Sequence, residues 1–265
     1  MPRFLAIAFL LLALFSLSAG AQNPPMPIPA PPSIGASSYV LLDHHTGQVL
    51  AERASEERRD PASLTKVMTA FVVFSELESG NLALDDQVVV SERAWRAPGS
   101  RMFIEVGSRV SVENLLRGMI VQSGNDASVA LAEHIAGSEE TFAALMNQYA
   151  AELGMVNTHY TNAAGLPHPE HYSSAADTAR LVRALIQRFP PFYGYYSERS
   201  FTWNDIQQYN RNRMLWQDPS VDGVKTGYTE SAGYCLATSG ERDGMRLISV
   251  ILGADTPAAR VQQTK

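Results

Sequence analysis

The chain has 265 residues, of which 45% are hydrophobic and 18% are charged. This balance excludes a disordered chain and allows one large domain or two small ones with a buried core. The formal net charge of -6 argues against a broad basic surface, and so against a nucleic-acid partner. A single cysteine, Cys235, excludes an intramolecular disulfide and a cysteine-rich zinc site. Lysine occurs three times, at Lys66, Lys225 and Lys265.

Residues 1–21 have the pattern of a secretory signal peptide. Arg3 precedes an apolar run over residues 4–17, and residues 19–21 (Ala-Gly-Ala) offer a small-x-small cleavage site. An uncleaved membrane anchor is the alternative, and both interpretations predict export. Residues 22–36 contain six prolines and predict a stiff, extended tether. We therefore expect the folded domain to occupy residues 37–265.

The chain order of the predicted elements indicates an α+β fold. Strand-like runs are found at residues 38–43, 48–52, 232–238 and 245–252. Helical patterns are found at residues 61–74, 112–121, 126–136, 139–153 and 175–189. Strands at both chain ends with helices between them predict one antiparallel sheet built from both ends, with the helices packed against it. A further helix opens at Thr256-Pro257 and is cut short at Lys265, as in a domain truncated within its last helix.

Ser63 and Lys66 form the first candidate catalytic pair. Pro61 places Ser63 in the first turn of a predicted helix, and Lys66 follows on the same face about one turn later. A serine hydroxyl becomes a good nucleophile only when a base takes its proton. A lysine can take it only if burial or a neighbouring cation lowers its pKa. A solvated lysine at a helix start is the alternative interpretation.

Ser123 and Asn125 lie in a short break between two predicted helices. A hydroxyl and an amide on such a loop can relay a proton and hold a substrate amide. About one Ser-x-Asn is expected by chance in this composition, so the motif carries no weight alone. Ordinary capping of the following helix by Asn125 is the alternative.

Lys225, Thr226 and Gly227 follow a strand-like run at residues 221–224. Glycine has no side chain, so a substrate backbone could lie beside this strand edge, close to the lysine and the threonine. About 0.01 Lys-Thr-Gly sequences are expected by chance. Two of the three lysines therefore fall in motif positions, which is stronger evidence than any one motif.

The three motifs, in this order, resemble the signature of penicillin-binding proteins and serine β-lactamases. The sequence is most similar to low-molecular-mass D-alanyl-D-alanine carboxypeptidases of the penicillin-binding protein 5 type. The resemblance runs from about Ser38 to the end of the chain. It is carried by the segments 59–66, 122–127, 210–212 and 221–227.

The resemblance implies a β-lactamase/transpeptidase-like fold and a serine D,D-carboxypeptidase that needs no cofactor or metal. Its implied substrate is the peptidoglycan pentapeptide ending in D-Ala-D-Ala, and β-lactams would acylate the same serine. The implied location is the periplasm or the outer face of the cytoplasmic membrane.

The implied roles map onto the motif positions residue by residue. Ser63 is the acyl-enzyme nucleophile and Lys66 accepts its proton, with the charge of Lys225 keeping Lys66 partly neutral. The backbone N–H groups of Ser63 and of Tyr228, which follows Gly227, form the oxyanion hole. The remaining implied roles are proton relay by Ser123, binding of the acyl-side amide by Asn125, and binding of the terminal carboxylate by Thr226, Arg211 and Arg260.

The sequence also departs from the pattern of this subfamily. Tyr228 stands where His is common, so we expect altered substrate contacts without loss of activity. The second, β-rich domain and the C-terminal amphipathic membrane helix of the subfamily have no counterpart in these 265 residues. Membrane attachment through that helix is therefore not encoded in this sequence.

Three alternative functions remain. A class A β-lactamase is disfavoured because residues 170–173 do not match its Glu-x-x-Leu-Asn loop and because Ser-Gly-Asn replaces Ser-Asp-Asn. A D,D-endopeptidase would use the same residues. A non-catalytic sensor of penicillin or peptidoglycan is disfavoured because a binder need not retain Ser63, Lys66 and Lys225.

The histidines predict no metal site. His44 and His45 lie at a predicted turn, and His168 and His171 flank Pro169, without a third ligand at metal spacing. We expect these four side chains to be structural or solvated.

Overall fold

The computed structural model describes residues 34–265. The predicted signal peptide and most of the predicted tether lie outside this range. Ala36, at the end of the predicted tether, is buried in a small apolar cluster with Tyr39 and Ile251. Among the described residues, no helix is long and apolar enough to cross a membrane.

The strands form one large and two small antiparallel sheets. They are β1 (Ser38–Asp43), β2 (Val49–Arg53), β3 (Gln87–Val89), β4 (Arg109–Ser111), β5 (Ser200–Trp203), β6 (Ile206–Tyr209), β7 (Val221–Thr229), β8 (Gly233–Arg242) and β9 (Met245–Ala254). The large sheet has the order β2-β1-β9-β8-β7, and β3–β4 and β5–β6 are separate pairs. The predicted sheet built from both chain ends is therefore present, with β7 at its edge.

All the helices except the last lie between the first and last strands in the sequence. They are α1 (Thr65–Ser79), α2 (Glu92–Arg96), α3 (Val112–Val121), α4 (Asn125–Ala136), α5 (Glu139–Glu152), α6 (Ala175–Arg188), α7 (Pro190–Tyr193), α8 (Met214–Gln217) and α9 (Pro257–Gln262). Their ends follow local chemistry. The Ser111 hydroxyl caps α3 by accepting the Asn114 N–H at 3.3 Å. Gly80, with φ 77°, ends α1.

Helix α1 crosses the centre of the domain. All its residues from Thr65 to Ser75 are buried, including Lys66. A short 3-10 helix, Ala62–Leu64, precedes it and carries Ser63. The predicted helix over residues 61–74 is thus a 3-10 turn followed by a longer α-helix. Because this helix has no solvated face along its first three turns, every polar group on it needs an internal partner.

A long loop between α5 and α6 is anchored to α1 by His171. The Nε2 atom of His171 lies 2.8 Å from Thr65 Oγ1, and its Nδ1 accepts the Thr161 N–H at 3.0 Å. Because Nδ1 accepts a hydrogen bond, the ring proton belongs on Nε2, which donates to Thr65. Burial lowers the pKa of His171 to about 4, so this ring is neutral at physiological pH. The side chain expected to be structural or solvated is structural.

His171 should make the fold sensitive to acid. The pKa of His171 is about 4 in the folded state, and the ordinary value of 6.5 applies in the unfolded chain. Between these values the unfolded chain binds the extra proton, so stability is lost as the pH falls from about 6.5 towards 4. The loss should reach about 3 kcal/mol. Denaturant unfolding at a series of pH values should show a shallower loss of stability for His171→Gln than for the unchanged protein. The exposed His168→Gln is the matched control and should leave the slope unchanged. Identical slopes for all three proteins would contradict this assignment.

Candidate active site

A cavity of about 510 Å³ opens at the start of α1, beside the edge strand β7. Its other walls come from residues 99–103 and 164–166. Four of the residues singled out in the sequence line it: Ser63, Asn125, Arg211 and Tyr228. Four others are buried and do not line this cavity: Lys66, Ser123, Lys225 and Thr226.

Lys66 lies directly behind Ser63. Its Nζ is 3.0 Å from Ser63 Oγ, 2.7 Å from Asn125 Oδ1 and 2.6 Å from the Ala164 carbonyl oxygen. The amide and the carbonyl oxygen can only accept hydrogen bonds here. A neutral amine therefore donates its two N–H groups to Asn125 Oδ1 and the Ala164 carbonyl oxygen. Its lone pair is then left for the Ser63 hydroxyl, which is the geometry that a proton acceptor requires.

The pKa of Lys66 is lowered to about 7. Burial is the largest cause, the carboxylate of Asp126 acts in the opposite direction, and the charge of Arg211 lowers the pKa further. The charge of Lys225, which was expected to help keep Lys66 partly neutral, is not among these causes. Lys225 is itself buried, and its own pKa is lowered by burial and then by the charge of Lys66. An ammonium is costly to bury, so burial shifts both amines towards their neutral forms.

Asn125 begins α4 and connects two parts of the site. Its Oδ1 accepts from Lys66 at 2.7 Å, and its Nδ2 donates to the Pro98 carbonyl oxygen at 2.5 Å. Asn125 therefore holds Lys66 and the cavity wall, and its binding of the acyl-side amide stays a prediction. Ser123, two residues earlier, has a left-handed φ of 66° and is 3% exposed.

Asp126 is a buried site residue that the sequence did not reveal. Its carboxylate accepts the backbone N–H groups of Met102 (2.9 Å), Phe103 (2.9 Å) and Ile104 (3.3 Å). These contacts fix the segment that forms one wall of the cavity. The neighbouring Ser-Gly-Asn motif was visible in the sequence, but the tertiary contact that gives Asp126 its role was not.

Gly227 allows β7 to approach the turn that carries Ser63. A Cβ atom at Gly227 would lie 3.1 Å from the Ser63 nitrogen and 3.1 Å from the Pro61 oxygen. Such contacts are tighter than most Cβ contacts in proteins, so glycine favours this approach. The close approach brings the backbone of residues 227–228 beside Ser63, as the predicted oxyanion hole requires.

Asp60 joins the two sides of that predicted oxyanion hole. Its Oδ1 accepts the Ala62 N–H at 2.9 Å, where Ala62 has a left-handed φ of 47°. Its Oδ2 accepts the hydroxyls of Thr229 (3.1 Å) and Ser231 (2.6 Å), at the end of β7 and in the turn that follows. One carboxylate thus connects the nucleophile turn to β7. Its position three residues before Ser63 gave no separate signal in the sequence.

The three remaining basic side chains occupy different places. Arg211 lines the cavity and donates from Nε to the Gln122 carbonyl oxygen at 2.9 Å. Lys225 donates to the Thr226 carbonyl oxygen at 3.0 Å. Arg260 donates to the Gly227 carbonyl oxygen at 3.1 Å and lies outside the lining of the cavity. Arg260 thus contacts the backbone of β7, and its contact with a substrate carboxylate stays a prediction.

The Gly227–Tyr228 peptide group is oriented by this contact. In a trans peptide the C=O and N–H groups point in opposite directions. The Gly227 oxygen faces Arg260, so the Tyr228 N–H faces away from it. The Tyr228 ring is 51% exposed and stacks on Tyr234 with centroids 4.4 Å apart. Its side chain therefore stands on the rim of the cavity.

Among residues 34–265, no group of three or more His, Cys, Asp or Glu side chains is arranged to hold a metal ion. The polar groups of the cavity are instead paired with backbone groups and with one another. Their arrangement suits a nucleophile, a neutral amine and a bound anion.

Comparisons with known proteins agree with the motifs. The sequence model of the Peptidase_S11 family, described as D-alanyl-D-alanine carboxypeptidase, matches residues 26–256. The D-alanyl-D-alanine carboxypeptidase DacD of Escherichia coli K12 is 46% identical over 274 residues, covering 100% of this chain and 70% of DacD. DacC of the same strain is 46% identical over 241 residues, covering 88% of this chain and 60% of DacC. The chain thus spans about two thirds of the length of these relatives.

Solved structures show the same fold. Penicillin binding protein 5 from Haemophilus influenzae superposes with a TM-score of 0.87 at 44% identity, covering 89% of this chain and 70% of that one. Penicillin-Binding Protein D2 from Listeria monocytogenes, in its ampicillin-bound form, has a TM-score of 0.80 at 29% identity and covers 87% and 95% of the two chains. The chain belongs to the D-alanyl-D-alanine carboxypeptidase family Peptidase_S11.

Proposed function

We propose that this protein is a serine D-Ala-D-Ala carboxypeptidase that removes the terminal D-alanine from peptidoglycan stem peptides. Ser63 Oγ attacks the carbonyl carbon of the penultimate D-alanine, and Lys66 takes the hydroxyl proton. The N–H groups of Ser63 and Tyr228 stabilise the oxyanion. Ser123 passes a proton to the leaving D-alanine amine as the peptide bond breaks. Water then hydrolyses the ester on Ser63 and releases the shortened peptide.

The contact between Lys66 and Ser63 is the observation that carries this proposal. A serine needs a base with a pKa near the working pH, and the buried amine at 3.0 Å has a pKa of about 7. A pure binding protein gains nothing from this arrangement, because keeping an amine buried costs stability.

The substrate would lie along β7 with its carboxylate near Arg211. The guanidinium of Arg211 lines the cavity, and one nitrogen is tied to Gln122, which leaves the others for a carboxylate. Thr226 lies on the adjoining edge strand. Arg260 supports this role indirectly, by holding the Gly227–Tyr228 peptide.

β-Lactams would acylate Ser63 by the same chemistry, since their strained amide presents a carbonyl to the same nucleophile. The ampicillin-bound structure of the Listeria relative supports this proposal. We also propose export to the periplasm or the outer face of the cytoplasmic membrane, from the signal-peptide pattern of residues 1–21.

Replacing Ser63 tests the nucleophile directly. Ser63→Ala should abolish covalent labelling by a fluorescent penicillin. It should also lower D-alanine release from diacetyl-L-Lys-D-Ala-D-Ala by about 10⁴-fold or more, because the acyl-enzyme cannot form. Ser79→Ala, at the exposed end of the same helix, is the control and should behave like the unchanged protein.

The unchanged protein distinguishes the remaining functions in the same assay. Persistent label with release of D-alanine supports the carboxypeptidase. Label that is lost within seconds while the antibiotic is consumed would indicate a β-lactamase. Peptide binding without label or release would indicate a sensor. Either of the last two results would contradict the proposal.

The acylation rate should depend on the protonation state of Lys66. Its amine is protonated below a pH of about 7 and cannot then accept the Ser63 proton. The second-order rate constant for penicillin acylation should therefore fall about tenfold per pH unit below that point and level off above it. Stopped-flow labelling between pH 5.5 and 8.5 measures this, with circular dichroism to confirm that the fold persists. A rate constant that stays unchanged from pH 6 to 8 would contradict the role of Lys66.

A further inference from the structure

A second cavity, of about 740 Å³, adjoins the active-site cavity. Residues close to each other in the chain line the two cavities on both sides. Leu166 lines the first cavity and Pro167 the second, on one loop. On the other side, Thr229 lines the first cavity and Ser231 the second, and both hydroxyls donate to the same oxygen of Asp60. The second cavity therefore lies next to the groove beside Ser63.

Most of the polar groups that line the second cavity already have partners. Arg59 forms an ion pair with Glu57 at 2.6 Å. Asp60 accepts three hydrogen bonds, and His171 is tied to α1 and to its own loop. The Nδ1 atom of His168 accepts the backbone N–H of residue 170 at 3.1 Å. These groups hold the cavity in shape and offer little free charge.

Two charged side chains that line the second cavity have no such partners among the described residues. Among the described residues, neither Arg58 nor Glu170 has an ion-pair partner, and neither side chain makes a hydrogen bond. The Arg58 guanidinium lies over the Tyr172 ring, 4.6 Å from its centroid. This stacking orients the guanidinium while its N–H groups remain available. One free cation and one free anion thus face the same cavity.

The direction of β7 determines which half of the substrate reaches this cavity. Thr226 and Arg211 mark the proposed carboxylate end of the substrate. Thr229 lies further along the same strand and on the side of the second cavity. The acyl half of the stem peptide, which remains on Ser63 after D-alanine leaves, therefore extends towards Arg58 and Glu170.

We propose that the second cavity is an acyl-side subsite for a zwitterionic side chain, in which one carbon carries both an ammonium and a carboxylate. This inference rests on the proposed carboxypeptidase function. The residue recognised is the one that precedes the penultimate D-alanine. Arg58 binds the carboxylate of its side chain, and Glu170 binds the ammonium. A neutral side chain would satisfy neither group, so the subsite distinguishes the two kinds of peptide.

The test compares three peptides that differ in the side chain of this residue. Nα-acetyl-meso-diaminopimelyl-D-Ala-D-Ala carries both charges, Nα-acetyl-L-Lys-D-Ala-D-Ala carries the ammonium alone, and diacetyl-L-Lys-D-Ala-D-Ala carries neither. The variants are Arg58→Ala and Glu170→Gln, with the exposed Arg109→Ala and Glu152→Gln as matched controls. Release of D-alanine gives kcat and KM for each protein with each peptide. The rate of penicillin acylation shows whether the catalytic centre is intact.

Each variant should lower kcat/KM for the zwitterionic peptide by about fivefold, through KM, because the lost contact is made equally in the ground state and the transition state. For the lysyl peptide, which carries the ammonium alone, only Glu170→Gln should lower kcat/KM. Neither variant should change kcat/KM for the diacetyl peptide or the rate of penicillin acylation. The control variants should leave all of these values unchanged.

Two results would overturn the subsite. One is an equal loss for all three peptides, which would indicate a structural role. The other is no loss for the zwitterionic peptide. If the unchanged protein released no D-alanine from any peptide, the proposed function itself would fail, and the subsite with it.

Discussion

Lys66 lies on a helix whose residues from Thr65 to Ser75 are all excluded from water, and the organisation of the active site depends on how its amine is satisfied there. Two carbonyl-type oxygens, from Asn125 and Ala164, take its N–H groups. The remaining direction faces Ser63 Oγ. Burial lowers the pKa to about 7, so the amine can exchange a proton with the serine near neutral pH. The burial that packs the helix therefore also lowers the pKa of the amine that activates the nucleophile.

Two buried or partly buried carboxylates support this centre through backbone groups. Asp126 fixes residues 102–104 through three N–H groups, and Asp60 joins the turn before Ser63 to the end of β7. Each converts a loop into a fixed wall of the cavity. The charge of Asp126 also raises the pKa of Lys66, against burial and the charge of Arg211. Burial is the largest of these effects, and the pKa falls as a result.

The sequence predicted those features that have a local cause. Turn and cap residues placed both hairpins and helices such as α3, and the chemistry of Ser63 and Lys66 identified the catalytic pair. The small β3–β4 and β5–β6 pairs were missed because their strands have three or four residues and show little alternation. The roles of Asp60 and Asp126 depend on N–H groups brought from distant segments, which no local pattern reveals. The contact of Arg260 with the Gly227 carbonyl oxygen of β7 also has no local pattern in the sequence.

Direct titration of Lys66 tests the central claim, and the chain suits it because it has three lysines, Lys66, Lys225 and Lys265. Labelling the lysines with ¹³C at Cε gives only a few NMR signals. The signal that is missing from the spectrum of Lys66→Arg is that of Lys66. NMR chemical shifts followed from pH 5 to 11 should give Lys66 a midpoint of about 7. Arg211→Ala should raise that midpoint, because the Arg211 charge disfavours a second cation. A Lys66 midpoint close to 10.5, the value for an unperturbed lysine, would contradict the account.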